Sequence, residues 1–295
     1  MRSMTRPQSP SRVYEHALPN VVQCAVLPAS TMVLMADPAY FDVVWAINPH
    51  MKPGSVNRGL AVEQWRVLRG ALASAGLPVE VVPAVEDLCD LVFTANQSFP
   101  VRDGSGRVLL SRMKAEERQP EVGEVAAAWT RLGRTVEALP GEAVFEAGGD
   151  ALWFPGRRLI LCGHGFRTDR VALDALAVAA DVPVVAFELV DPRFYHLDTC
   201  LCPLDDRCAL VVPSAFTTAG LERIEQLFPE WVAVPEAEGL RFACNGAVVG
   251  GHFLVQAGNP AAIVAAESRG LRVVSLDTSE FIKSGGSVTC LHMRA

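Results

Sequence analysis

The feature that most constrains this chain is a pattern of strand, strand, helix and strand that returns about every fifty residues. In the first unit, Trp65 and Leu72 lie on one face of a predicted helix, and Gly76 ends that helix before an apolar strand at residues 79–82. The same order then recurs along the rest of the chain. The five predicted units lie at residues 31–82, 90–139, 145–187, 208–234 and 246–275.

A mixed α/β chain with five such units is expected to close into a ring with its helices on the outside. The competing fold is an open doubly wound sheet, which has single strands alternating with helices and a glycine-rich phosphate loop after the first strand. Gly163-His164-Gly165 is only a fragment of such a loop, so the pattern favours the ring. In a ring, the starts of all five units face one central channel, and we expect the chemistry there.

Composition limits the possible function classes. The chain has 295 residues, 50% hydrophobic and 20% charged, which suits a globular domain at residues 21–295 after a disordered segment at residues 1–20. Its 26 basic and 33 acidic residues argue against nucleic-acid binding. We find no apolar run long enough for a membrane span and no apolar block typical of a secretory signal, so we expect a cytoplasmic protein with no membrane partner. Its eight cysteines are then expected to be reduced.

Polar residues stand beside apolar strands where the predicted units begin, which is costly unless they are hydrogen-bonded or used in chemistry. Structural pairing would account for some of them. One further cysteine, Cys290, follows Gly285 and Gly286 in an apolar tail, which we predict to be a final short strand that carries the thiol into the fold. The polar residues at the unit starts are Asn48, Asp90, Asn96, Glu146, Asp150, His196, Asp198, Cys244 and Asn245.

Four segments together resemble the guanidine-modifying pentein superfamily, which includes arginine deiminases, dimethylarginine dimethylaminohydrolases, amidinotransferases and arginine dihydrolases. The resemblance covers about residues 30–295 and keeps the motifs in order. It implies a five-bladed α/β propeller of pseudo-symmetric ββαβ units around a central channel, in agreement with the repeat count. The four segments are Val92-Phe93-Thr94-Ala95-Asn96, Phe145-Glu146-Ala147-Gly148-Gly149-Asp150, His196-Leu197-Asp198-Thr199-Cys200-Leu201-Cys202-Pro203-Leu204 and Gly285-Gly286-Ser287-Val288-Thr289-Cys290.

The resemblance also implies catalytic roles. Cys290 matches the nucleophile, whose thiolate attacks the guanidinium carbon to form a covalent S-alkylthiouronium. His196 matches the general acid and base, and Glu146 the acid that orients it. Asp198 would contact the substrate nitrogens, and Arg167 would hold the substrate carboxylate. The remaining predicted substrate-binding residues are Asn96, Asp90, Asn48, Asp150 and Asn245.

Two departures from the common pattern point to arginine dihydrolases, which convert arginine to ornithine, carbon dioxide and ammonia. Asn96 stands where many relatives have aspartate, and Glu146 lies four residues before Asp150 instead of three. Residues 47–51 and 243–245 also look most like arginine dihydrolases. An amide offers both a donor and an acceptor, so it can hold a ureido group as well as a guanidinium. The alternative is a dimethylarginine dimethylaminohydrolase or arginine deiminase with citrulline as product.

Other interpretations are weaker. Cys200, Cys202 and Cys208 with His252 lack the spacing of a zinc knuckle, so we predict no metal site. His292, two residues after Cys290, would share its face in a strand and could compete for the role of base. A different class of function is an inactive ring that serves as a binding module. We predict no cofactor, a small guanidinium substrate and, by analogy alone, a homodimer.

Overall fold

The computed structural model describes residues 12–295, a chain of short strands and helices that alternate in a regular order. Sixteen strands occur in this range: β1 (Val13–Tyr14), β2 (Val33–Ala36), β3 (Val79–Val82), β4 (Ser98–Pro100), β5 (Arg107–Leu110), β6 (Thr135–Ala138), β7 (Ala151–Trp153), β8 (Ile160–His164), β9 (Val184–Glu188), β10 (Leu201–Pro203), β11 (Ala209–Val211), β12 (Val232–Ala233), β13 (Ala247–Val249), β14 (His252–Gln256), β15 (Arg272–Leu276) and β16 (Met293–Arg294).

Eight α-helices lie in the same range: α1 (Arg58–Ser74), α2 (Gln119–Arg131), α3 (Ala147–Asp150), α4 (Ala172–Ala180), α5 (Thr218–Leu227), α6 (Glu236–Gly239), α7 (Pro260–Ser268) and α8 (Ser279–Ile282). Five short 3-10 helices complete the described elements: Val21–Gln23, Cys89–Val92, Glu116–Arg118, Leu197–Thr199 and Pro213–Ala215.

The strands form five sheets within residues 12–295, and all five share one plan. A first strand pairs antiparallel with a second, and the second pairs parallel with a third after a helical crossover, as in β4, β5 and β6. The sheet orders are β16-β2-β3, β4-β5-β6, β7-β8-β9 with β1 at its edge, β10-β11-β12 and β13-β14-β15. The predicted ββαβ repeat is therefore present, and the chain has a mixed α/β fold.

Each sheet shares its hydrophobic core with the next one along the chain. Leu34 of the first sheet is buried in one core with Val108 of the second, and Leu109 on the same strand is buried with Ile160 of the third. The third, fourth and fifth sheets share one large core. Another core joins Val33 of the first sheet to Leu254 of the fifth. The predicted helix α1 buries Trp65 and Leu72 in this core, so its apolar face covers the junction of the last sheet with the first.

The segments just before strands β4, β7 and β10 contain short helical turns, which the sequence analysis did not predict. Residues 90–93 were expected to be extended, but Cys89–Val92 is a 3-10 helix, and similar turns at Ala147–Asp150 and Leu197–Thr199 precede β7 and β10. A short apolar run does not distinguish a strand from a buried helical turn. Each turn precedes the first strand of its sheet and carries one buried aspartate, which is Asp90, Asp150 or Asp198.

The C-terminal tail does return to the fold as a short strand, but the strand does not contain the thiol. β16 pairs antiparallel with β2, whereas Cys290 lies in the preceding turn. Gly285 has φ +89°, and a Cβ there would lie 2.6 Å from the Tyr195 hydroxyl oxygen. The glycine is required because the tail passes so close to this side chain.

Residues 12–20 belong to the N-terminal segment that we predicted to be disordered, and they lie within the described range. There, Val13–Tyr14 forms strand β1 beside β9, so ordered structure begins before Asn20. Residues 1–11 lie outside the described residues. In the part of the chain that the structure describes, no helix is long and apolar enough to cross a membrane.

Candidate active site

Cys290, His196 and four predicted substrate-binding residues line one small buried cavity of about 10 Å³, room for about a single water molecule. Glu146 and Asp198 are bonded to His196 and Cys290 on its wall. Segments that enter several sheets line it, together with the long connection between β2 and α1. Its lining residues are Ile47, Asn48, Met51, Asp90, Phe93, Asn96, Arg118, Arg167, Tyr195, His196, Ser284, Gly285, Gly286 and Cys290.

The Cys290 thiol lies on this cavity and is 3% exposed. Its Sγ donates to Asp198 Oδ2 at 3.3 Å and accepts from Asn245 Nδ2 at 3.1 Å. The backbone N–H of Cys290 donates to Asn245 Oδ1, so one amide holds both ends of the residue. Burial is the largest cause that raises the pKa of the Cys290 thiol well above its usual range, and the charge of Asp198 is the second. The Cys290 thiol is therefore neutral in the unliganded protein, and a bound cation would help to ionise it.

Asp198 is the acceptor for this thiol and is itself 1% exposed. Its second oxygen, Oδ1, has no hydrogen-bond partner among residues 12–295. Burial raises the pKa of Asp198 to about 7. A buried carboxylate with an unused oxygen is suited to bind a cation.

His196 pairs with Glu146, as the sequence predicted. Their Nε2 and Oε2 atoms are 2.8 Å apart, and both side chains are buried. Burial alone would raise the pKa of Glu146, but the hydrogen bond from His196 and the charge of Arg167 lower it to about 2. The backbone N–H of Lys114 also donates to Glu146. Glu146 is therefore an ionised carboxylate that fixes the orientation of the imidazole.

Gly149 is the reason why this imidazole can lie beside Asn96. A Cβ on Gly149 would lie 2.5 Å from Asn96 Nδ2 and 2.9 Å from His196 Nδ1. Both distances are too short for non-bonded atoms. Only glycine therefore fits between the two side chains.

Asn96 and Asp90 occupy the second wall of the cavity. Arg118 Nη1 donates to Asn96 Oδ1 at 3.1 Å, whereas Asn96 Nδ2 has no partner among the described residues. Asp90 accepts hydrogen bonds from Trp45 Nε1 and Ser284 Oγ, each at 2.9 Å. Burial raises the pKa of Asp90, although the charge of Arg118 opposes this.

Arg167 and Asn48 close the cavity on the solvent side. Arg167 donates to Glu146 and, through Nη2, to the Ile47 carbonyl at 2.8 Å, and its guanidinium lies 4.9 Å from the centre of the Tyr195 ring. Asn48 Nδ2 donates to the Ser284 carbonyl. Arg167, Asn48, Ile47 and Tyr195 also line an outer cavity of about 470 Å³. These four side chains therefore separate the inner site from a space large enough for an amino acid.

Two predicted substrate-binding residues do not line the cavity. Asp150 accepts a hydrogen bond from the backbone N–H of Leu197, so it supports the segment that carries His196 and Asp198. Asn245 contacts Cys290 itself. Asp150 and Asn245 therefore support the segments of His196 and Cys290 and do not face the cavity.

Comparison with known proteins identifies the family. The profile described as N,N dimethylarginine dimethylhydrolase, eukaryotic, matches residues 46–294. The N(G),N(G)-dimethylarginine dimethylaminohydrolase of Mycobacterium tuberculosis is 34% identical over 89% of this chain and 85% of its own length. The chain belongs to the dimethylarginine dimethylaminohydrolase family.

Members of this family and its near relatives are hydrolases of guanidino C–N bonds, and the chain is such a hydrolase. A bifunctional arginine dihydrolase/ornithine cyclodeaminase of Nostoc, AgrE, is 36% identical over 88% of the chain, which spans 37% of that protein. The N-terminal domain of ArgZ, an arginine dihydrolase from cyanobacteria, was solved as a cysteine-to-serine variant bound to substrate. It superposes with a TM-score of 0.85 and 33% identity, over 89% of this chain and 97% of that one.

His292 does not line the cavity at Cys290. His292 Nδ1 bonds the Val288 carbonyl at 2.8 Å, and the ring lines a different cavity. Burial lowers the pKa of His292 to about 3. The expected shared face with Cys290 was wrong, because the chain turns between the two residues instead of forming one strand.

The other cysteines are dispersed. The thiols of Cys200, Cys202 and Cys208 each bond backbone carbonyls, and residues 12–295 contain no group of three His, Cys, Asp or Glu placed to hold a metal ion. Cys89 and Cys162 are buried, whereas Cys24 is only half-buried.

Arg118 is the main residue of the candidate site that the sequence analysis missed. It is 5% exposed, forms an ion pair with Glu121 at 2.9 Å and donates to the Asp90 carbonyl and to Asn96. It follows two glutamates on the chain, a pattern more typical of a solvated surface. Tyr195, which also lines the cavity, lies directly before His196 and could have been found from that position.

Proposed function

We propose that this protein is an arginine dihydrolase, which converts arginine to ornithine, carbon dioxide and two molecules of ammonia through thiouronium chemistry at Cys290. The observation that carries the proposal is the amide of Asn96. Arg118 can only donate, so its bond to Asn96 Oδ1 leaves the Nδ2 group to face the cavity. The site therefore presents a hydrogen-bond donor where an aspartate would present an acceptor.

The first reaction uses the carboxylates. The guanidinium of arginine binds between Asp198 and Asp90, and its charge favours ionisation of the Cys290 thiol. The thiolate attacks the guanidinium carbon, the C–N bond to a terminal nitrogen breaks, and His196 protonates the departing ammonia. His196 then takes a proton from water, which attacks the thiouronium and releases the thiolate and a bound citrulline.

The second reaction depends on retention of this citrulline. Its ureido oxygen accepts from Asn96 Nδ2, which polarises the ureido carbon for a second attack by Cys290. Ammonia leaves, water cleaves the resulting thiocarbamate, and the released carbamate loses carbon dioxide to leave the ornithine amine. Arg167 would hold the substrate carboxylate on the solvent side, and Asn48 would cover the site. No cofactor takes part, because thiol, imidazole, carboxylates and water are sufficient.

The closed propeller is part of this proposal. The pairing of β16 with β2 and the core shared by the first and fifth sheets both support a ring of five sheets around the site. An experimental structure in which these two sheets were not neighbours would contradict it.

The second candidate is a dimethylarginine dimethylaminohydrolase, which would release dimethylamine and stop at citrulline. It is supported by the family match and by the mycobacterial relative. A ring that only binds guanidino compounds is a third possibility, which the presence of Cys290, His196, Glu146 and Asp198 in one cluster disfavours. The predicted cytoplasmic location and homodimer stay predictions.

A product assay distinguishes these functions. Purified protein is incubated separately with arginine and with asymmetric dimethylarginine, and ornithine, citrulline and dimethylamine are quantified. We expect ornithine to accumulate from arginine and little dimethylamine to form. Citrulline as the sole stable product of arginine would overturn the dihydrolase proposal, and no product from either substrate would support a binding module.

A further inference from the structure

A third cavity, of about 270 Å³, shares no lining residue with the small cavity at Cys290 and is larger than it. The first strand of every sheet contributes to its wall, through Phe99, Trp153, Leu201, Val248 and Met293. Such a volume approaches the lower limit of pockets that hold small ligands. Of the predicted substrate-contacting and catalytic residues, only Asp198 lines it, and the Cys290 thiol bonded to Asp198 lies on the inner cavity.

Two arginine side chains, Arg102 and Arg294, border this cavity. Arg294 Nη1 donates to the Val248 carbonyl at 3.0 Å, and Arg102 donates to the Pro28 carbonyl. Neither guanidinium has an ion pair with a carboxylate among residues 12–295. The Nε of Arg102 is buried and has no hydrogen-bond partner in this range.

The electrostatics of the pair are unfavourable without a ligand. Burial and the nearby charge of Arg294 lower the pKa of Arg102 to about 10, and burial also lowers the pKa of Arg294. The neighbouring Asp103 offers no compensation, because it bonds Ser105 and approaches Arg107 at 4.0 Å. Two cations that are close together and partly buried favour an anion between them.

The backbone supports the same conclusion. Arg102 has φ +50°, in the left-handed region that long side chains rarely adopt. It stands in the turn between β4 and β5, in which Gly104 and Gly106 also have positive φ, so Arg102 is the residue of this turn whose left-handed backbone is strained. Strain at a non-glycine residue that directs a charged group to a cavity is typical of a binding site.

We propose that this cavity binds a small organic carboxylate, with the carboxylate between Arg102 and Arg294 and an apolar body against Phe99, Trp153 and Val248. Arginine forks match the two oxygens of a carboxylate, and the aromatic and aliphatic walls suit a hydrocarbon group. The proposed cationic substrate of the Cys290 site would be repelled here. The site is independent of the proposed function and does not require that function to be correct.

Benzoate is the probe, with benzamide as its neutral isostere and inorganic phosphate as a small anion without an apolar body. Binding is followed by thermal shift, by calorimetry and by fluorescence of Trp153, with Trp153→Phe as the variant that identifies the optical signal. We expect benzoate to stabilise the protein. Arg102→Gln and Arg294→Gln should each weaken benzoate binding at least about tenfold.

Two control variants locate the effect. Arg66→Gln removes a charge from an exposed position of α1, and Arg167→Gln removes one of the two arginines that line the Cys290 cavity. Both should bind benzoate as the wild type does. The proposal is overturned if benzoate binding survives both Arg102→Gln and Arg294→Gln, if it is lost in Arg167→Gln, or if benzamide or phosphate binds equally well.

Discussion

The Cys290 cavity and the cavity beside Arg102 belong to the same fold but hold different sets of charged residues. Asp90, Arg118 and Arg167 line the Cys290 cavity, and Glu146 and Asp198 are bonded to His196 and Cys290 on its wall. The cavity of about 270 Å³ is bordered by Arg102 and Arg294 together with Asp198. The former is almost filled by hydrogen-bonded side chains, and the latter holds 270 Å³ of space beside cations without ion pairs. One fold thus supports two sites, because ligand preference depends on a few charged residues and not on the frame.

The largest expected difference between the cavities concerns the nucleophile. Cys290→Ser should lower kcat by a factor of about 10⁴ or more, because the hydroxyl is a far weaker nucleophile than a thiolate. Benzoate binding, measured by calorimetry on the same variant, should not change. Substantial turnover by Cys290→Ser would show that the nucleophile is wrongly assigned.

Removing an arginine should have opposite consequences at the two cavities. Arg118→Met leaves Glu121 and Asp90 buried without their cation and should cost about 3–5 kcal/mol of unfolding free energy. Arg294→Met removes a cation without an acidic partner and should leave stability within about 1 kcal/mol of the wild type, or raise it. Urea denaturation of both variants checks this. Equal losses would mean that Arg294 is balanced by a charge that we have not identified.

The pH dependence of catalysis should follow Asp198. Burial raises the pKa of this carboxyl to about 7, so it is ionised above that pH and can bind the substrate cation, and protonated below it. We expect kcat/KM to fall by up to about tenfold per pH unit below about pH 7, since this parameter reports groups of the free enzyme. The bound cation favours ionised Asp198, so kcat should fall only at lower pH. A kcat/KM that stays constant from pH 8 to pH 5 would contradict this role.

The repeated ββαβ units could be predicted from the sequence, because strand and helix periodicity is a local property. The grouping of Cys290, His196, Glu146 and Asp198 could be predicted from the order of the motifs. It did not predict the turns that carry these residues, since a buried helical turn and a short strand have similar composition. It also missed Arg118, Arg102 and Arg294. Their significance depends on whether a carboxylate lies near each guanidinium in space, and no local sequence pattern contains that information.

The central claim is that Asn96 determines the product, and Asn96→Asp tests it most directly. The ratio of ornithine to citrulline formed from arginine is measured for this variant and for the wild type under identical conditions. We expect the wild type to form mainly ornithine and the variant to stop at citrulline, because the carboxylate repels the ureido oxygen that the amide would bind. An unchanged ratio in Asn96→Asp would contradict the account.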